Sequence, residues 1–109
     1  MTANNANDRS YEIARTIFRQ LAGSQRRLIA AVGAKDFVVL PDGIQFRIMR
    51  NAAKINHVSI RLHANDTYRL EFGTVRGVNY RQRELFTDVH VEQLRRLFET
   101  TTGLYLTIL

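Results

Sequence analysis

The chain has 109 residues, 45% of them hydrophobic and 24% charged, which suits one domain with its own core and excludes global disorder. Sixteen basic residues against ten acidic ones give a net charge of +6, and 14 of the sixteen are Arg, a balance that fits a polyanion or an acidic protein as partner and equally a solvated surface encoded by a GC-rich genome. Cysteine is absent, which excludes disulfides, thiol nucleophiles and cysteine metal sites. No segment approaches the roughly 20 apolar residues of a membrane span. The polar start also lacks the apolar stretch of a signal peptide, so the expectation is a soluble, intracellular protein with no membrane partner.

Met1–Arg9 is polar and Asn-rich and is expected to form a disordered tail, leaving residues 10–109 as a single domain. Ser10 then caps a helix whose stripe is Ile13, Ile17 and Leu21, widened by Ala14 and Phe18. Gly23 ends it. Ser24 caps a second, short helix with Leu28, Ile29 and Val32 on its buried side, and Gly33 stops that one.

Phe37–Leu40 reads as the first strand, and Pro41-Asp42-Gly43 as the turn that follows. A three-residue loop pairs Leu40 with Ile44 and turns Val38 and Leu40 inward. A two-residue Asp42-Gly43 loop turns Phe37 and Val39 inward instead. The first is preferred because Pro41 cannot donate to a ladder.

The clearest signal is an alternation over Ile44–Met49, Val58–His63 and Thr67–Phe72. One parity, running from Ile44, Phe46 and Ile48 to Tyr68, Leu70 and Phe72, is entirely apolar or aromatic. The other carries Arg47, Arg61 and Arg69 among polar residues and is broken only by Met49. Successive strand side chains point to opposite faces, so the pattern specifies a sheet with one buried face and one wet, arginine-bearing face. The connection Arg50–His57 has no period. A three-residue Ala64-Asn65-Asp66 loop pairs Leu62 with Tyr68, Ile60 with Leu70 and Val58 with Phe72 inside. Outside, it sets Ser59 against Glu71 and Arg61 directly against Arg69. Two opposed arginines repel. Glu71, diagonal to Arg61, offsets part of this, and an anionic ligand would offset more.

Gly73-Thr74-Val75-Arg76-Gly77 suggests a bend or bulge, followed by an extended segment over Val78–Phe86 with Tyr80 at the core or rim and Arg81 and Arg83 exposed. Thr87 or Asp88 caps the last helix, with Val91, Leu94, Leu97 and Phe98 buried and Gly103 as its C-terminal cap. The apolar end, Leu104–Leu109, must dock on the core, add an edge strand or meet another subunit. The expected fold class is α+β, two-layered. Two helices are followed by an antiparallel sheet of four to five strands and a final helix, with the helices packed on one face.

No catalytic signature stands out. His57, Ser59, Arg61 and His63 share a strand face, but residues two apart sit about 7 Å apart at Cα, and no carboxylate is placed to orient either His. His57, His63 and His90 lack metal-ligand spacing. The glycines of Gly73–Gly77 match neither phosphate-loop nor dinucleotide spacing, although Arg76 between them is suited to an anion. The aromatic residues take the buried parity, which disfavours base stacking on the sheet and leaves contacts to a duplex backbone.

The stretches Gly33-Ala34-Lys35-Asp36-Phe37, Arg50-Asn51-Ala52-Ala53-Lys54-Ile55-Asn56, Glu71-Phe72-Gly73-Thr74-Val75-Arg76-Gly77 and Leu97-Phe98-Glu99-Thr100-Thr101-Thr102-Gly103-Leu104-Tyr105 resemble a group of small, uncharacterised proteins encoded by bacteriophages and integrated mobile elements. The similarity runs from about Phe18 to Tyr105. It implies a phage or prophage accessory protein acting in the cytoplasm of a bacterial host, and carries no functional residues over. The function expected is non-enzymatic binding of nucleic-acid backbone through Arg47, Arg61, Arg69, Arg76, Arg81 and Arg83, with neither cofactor nor metal. The alternative is a protein-binding factor or inhibitor of a host complex. Its contact surfaces would be an exposed sheet edge and Leu104–Leu109, and the same tail is where a homodimer would form.

Overall fold

The apolar stripes predicted from the sequence meet in one core. The computed structural model describes residues 5–106 and contains α1 (Asn5–Ala22), α2 (Gln25–Val32), β1 (Lys35–Leu40), β2 (Gly43–Arg47), β3 (His57–Leu62), β4 (Tyr68–Arg76), β5 (Asn79–Val89) and α3 (Val91–Thr102). The strands form a five-stranded antiparallel sheet in sequence order, β1-β2-β3-β4-β5. Its apolar face is covered by Ala14, Ile17, Phe18 and Leu21 of α1, Leu28 and Val32 of α2, and Leu94 and Phe98 of α3, all buried in one cluster. The fold is therefore an α+β domain of two layers. No helix among the described residues is long and apolar enough to cross a membrane.

The central hairpin follows the alternation. Leu62 pairs with Tyr68, Ile60 with Leu70 and Val58 with Phe72, while Ser59 faces Glu71 and Arg61 faces Arg69. Asp66 takes the left-handed conformation that the three-residue loop needs, at φ 62°. Phe46, Phe72 and Phe98 are fully buried. Their ring centroids lie 6.5 Å (Phe46–Phe98) and 6.0 Å (Phe72–Phe98) apart, so one α3 side chain ties β2 to β4.

Three expectations at the periphery are corrected. Helix α1 begins at Asn5, so Asn5–Arg9 are helical rather than a disordered tail. Ser10 lies inside the helix, where its hydroxyl donates to the Pro41 carbonyl at 3.2 Å; Met1–Asn4 lie outside the described residues. The first hairpin pairs Leu40 with Gly43 and Val39 with Ile44, so the loop is Pro41-Asp42, shorter than the preferred reading. Phe37 is the residue that reaches the core, against Phe18 and Phe46, while Val38 stays 45% exposed. The cause lies in β3: a Cβ on Gly43 would sit 2.0 Å from the Ile60 carbonyl oxygen and 2.8 Å from the Arg61 Cα. Gly43 is therefore drawn into the ladder opposite Arg61, where only glycine fits.

The third correction concerns the caps and stripes. His90, not Thr87 or Asp88, precedes α3, because β5 runs on to Val89. Ile29 and Val91, expected inside, are 46% and 41% exposed. For the C-terminal tail, the first of the three expected fates holds up to Leu106. Leu106 is buried in the core, and its N–H donates to Glu99 Oε2 at 2.8 Å. The tail thus docks on its own domain at least that far; 107–109 lie outside the described residues.

Candidate functional site

The aperiodic connection between β2 and β3, residues 48–56, is held by two asparagines. The Asn51 side-chain amide donates to the carbonyls of Met49 (2.9 Å) and Ile55 (2.6 Å), and its Oδ1 accepts from the Ile55 N–H at 3.2 Å. Asn56 bonds Val75 as a strand residue would, donating to its carbonyl at 2.9 Å and accepting from its N–H at 2.7 Å. Thr74, buried at the same junction, donates its hydroxyl to the Lys54 carbonyl at 2.7 Å. Ile55 anchors the loop in the core. These bonds satisfy a loop backbone that no ladder covers, and they leave the Arg50 and Lys54 side chains exposed.

Two adjoining surface depressions lie at this end of the sheet and share Lys54, Thr74 and Arg76. The first also receives Lys35 from β1, Arg47 from β2 and Arg50 from the loop. The second receives Arg81 and Arg83 from β5. Seven basic side chains therefore line the two hollows, and neither hollow contains an acidic one. The Arg83 Nε–H donates to the Thr74 hydroxyl oxygen at 3.0 Å, which orients that guanidinium. At about 4.8 Å per strand, the basic end extends roughly 19 Å from β1 to β5.

Of the six arginines expected to bind, the structure brings Arg47, Arg76, Arg81 and Arg83 together here and leaves Arg61 and Arg69 out. The latter two do face each other across the β3–β4 ladder, but each has a carboxylate of its own. Arg61 pairs with Asp42 at 2.9 Å, and Arg69 with Glu71 at 3.1 Å. These are the two ion pairs among the described residues. Both are partly exposed and contribute about 0.2–1 kcal/mol each. They relieve the Arg61–Arg69 repulsion without an anionic ligand; Glu71 serves Arg69 rather than the diagonal Arg61.

Lys35, Arg50 and Lys54 are the members that sequence reasoning missed. Length was the available signal: a nine-residue connection in a meander of otherwise short turns is the kind of segment that carries function.

The open face of the sheet also departs from expectation, because it is not free of aromatic rings. Tyr80 pairs with Val75 and so projects there. Its hydroxyl donates to Glu71 Oε2 at 2.6 Å, and its ring meets His57 edge-on with centroids 5.4 Å apart. A Cβ on Gly73 would lie 2.4 Å from the Tyr80 ring. Burial and the bond to Glu71 raise the Tyr80 pKa, so the phenol stays a proton donor at neutral pH. Burial lowers the His57 pKa; Arg47 acts in the same sense, and Glu71 opposes. Among the described residues there is no group of three or more His, Asp or Glu side chains that could hold a metal ion.

No family model matches the chain, and neither does any curated protein or solved structure.

Proposed function

We propose that the protein is a non-enzymatic nucleic-acid-binding module that grips phosphates with the basic end of its sheet. The seven basic side chains around Lys54 and Arg76, in hollows without a carboxylate, carry this reading. Uncompensated cations that neutralise phosphates release the counterions condensed on the nucleic acid, which is the main source of sequence-independent affinity. Most of the seven are arginines, whose planar fork matches a phosphate. The phage or prophage accessory role, in a bacterial cytoplasm, is the biological setting that the resemblance adds.

The test is a salt titration of binding to a labelled oligonucleotide. With four to seven phosphates engaged, log affinity should fall against log salt with a slope of roughly −3 to −6. A flat salt response eliminates the proposal.

A second reading keeps a protein as the partner, and one observation favours it. A groove between α1 and edge strand β1 is lined by Tyr11, Phe18, Phe37, Val38 and Val39 and flanked by Arg15 and Arg19. The free edge of a strand beside exposed apolar side chains is suited to an added strand from another protein. Lysine substitution at Val38 should abolish capture of such a partner and leave oligonucleotide affinity unchanged. Within the C-terminal tail, Leu106 is spent on the protein's own core, so the groove carries this reading.

A further inference from the structure

We infer that the nucleic acid held at the basic end is single-stranded, with one of its bases stacked on Tyr80. The inference rests on the nucleic-acid reading above and narrows it. Tyr80 lines the same hollow as Lys54, Arg76, Arg81 and Arg83, and it also lines the hollow on the open face with His57 and Val75. It therefore stands where the cationic end passes into the sheet surface. The residue is 45% exposed, yet its ring is fixed at three points: over Gly73, by the hydroxyl bond to Glu71, and edge-on to His57.

An aromatic ring already held in place loses little rotamer freedom when a base stacks on it. A cationic groove beside such a ring is the combination by which single strands are bound without sequence preference. A duplex keeps its base faces inside the stack and offers Tyr80 nothing to stack on. The shared chemistry is a polyphosphate strand with exposed bases, which DNA and RNA both supply.

The experiment measures fluorescence anisotropy of four labelled probes of about twelve nucleotides: oligothymidine, oligouridine, an abasic strand of equal charge, and a duplex. The wild-type protein should bind oligothymidine or oligouridine about tenfold more tightly than the abasic strand, and more tightly than the duplex. A preference for oligouridine assigns RNA, and the reverse assigns DNA. Tyr80→Leu should erase the advantage over the abasic strand and leave abasic affinity unchanged, whereas Tyr80→Phe, which keeps the ring, should retain it.

Equal affinity for the base-bearing and abasic strands, or duplex binding as tight as single-strand binding, overturns the inference while leaving the phosphate-binding site intact. Binding to none of the probes overturns the nucleic-acid reading itself and this one with it. The comparison of probes on the wild-type protein decides the matter even if Tyr80→Leu does not fold.

Discussion

Gly73 and Tyr80 behave as one packing unit: a methyl group on the glycine would reach within 2.4 Å of the ring's Cε1 and hydroxyl. The bare Cα of β4 gives the ring its seat, and Glu71 two residues earlier holds its hydroxyl. Gly73→Ala should therefore cost about 1–3 kcal/mol, since either the ring or the strand must move. In a Tyr80→Ala background the same substitution should cost far less. Urea midpoints of the four proteins in the cycle give the coupling, expected at about 1 kcal/mol or more. Strictly additive effects would show that the ring does not rest on the glycine.

The arginines separate into two classes that affinity measurements can tell apart. Arg76→Ala, Arg81→Ala and Lys54→Ala each remove a cation from a hollow without carboxylates. Each should weaken oligonucleotide binding and reduce the salt slope by about one. Arg61→Ala and Arg69→Ala remove cations already paired with Asp42 and Glu71. They should change affinity little and stability by less than about 1 kcal/mol. If Arg61→Ala weakens binding as much as Arg76→Ala, the site lies on the middle of the sheet and not at its basic end.

That division also marks where the sequence stopped being informative. The β3–β4 register was legible because Val58, Ile60, Leu62, Tyr68, Leu70 and Phe72 share one parity, and a slip of one residue would turn every one of them to water. Tyr80 was not legible, because β5 shifts register at the bulge between Phe72 and Gly73, and parity cannot be counted through a bulge. The β1 facing was likewise decided by a tertiary contact, Gly43 against the Ile60 backbone, that no local turn rule contains. Arg50 and Lys54 sit on a loop shaped by the side chains of Asn51 and Asn56, whose partners are four and nineteen residues away. Arg76, Arg81 and Arg83 end together in one hollow because they follow one another closely along β4 and β5.

His57 should make stability depend on pH. Burial between Tyr80 and the β3–β4 ladder favours the neutral imidazole, so its folded pKa lies below the ordinary 6.5. The unfolded chain then takes up the proton first as pH falls. The contribution of His57 is complete above pH 6.5 and is lost progressively as pH drops through 6.5 toward the lower folded value. Urea midpoints measured between about pH 5 and 8 should show this decline, and His57→Gln should remove that part of it. A His57→Gln curve parallel to the wild type throughout would show that the imidazole titrates alike in both states.

The C-terminal end separates a structural tail from a docking tail. Leu106 is 3% exposed within the core cluster, and its N–H is bonded to Glu99 at the end of α3, whereas its neighbour Tyr105 is 76% exposed. Truncating Leu106 to Ala should cost about 2–5 kcal/mol, the range for a buried leucine. Tyr105→Ala should stay within about 0.5 kcal/mol, as for an exposed surface site. Deleting residues 105–109 should lower the urea midpoint at least as far as Leu106→Ala does, because it removes the side chain and the Glu99 contact together. A truncated chain as stable as the full one would place Leu106 outside the core and return the tail to the surface, free to meet a partner.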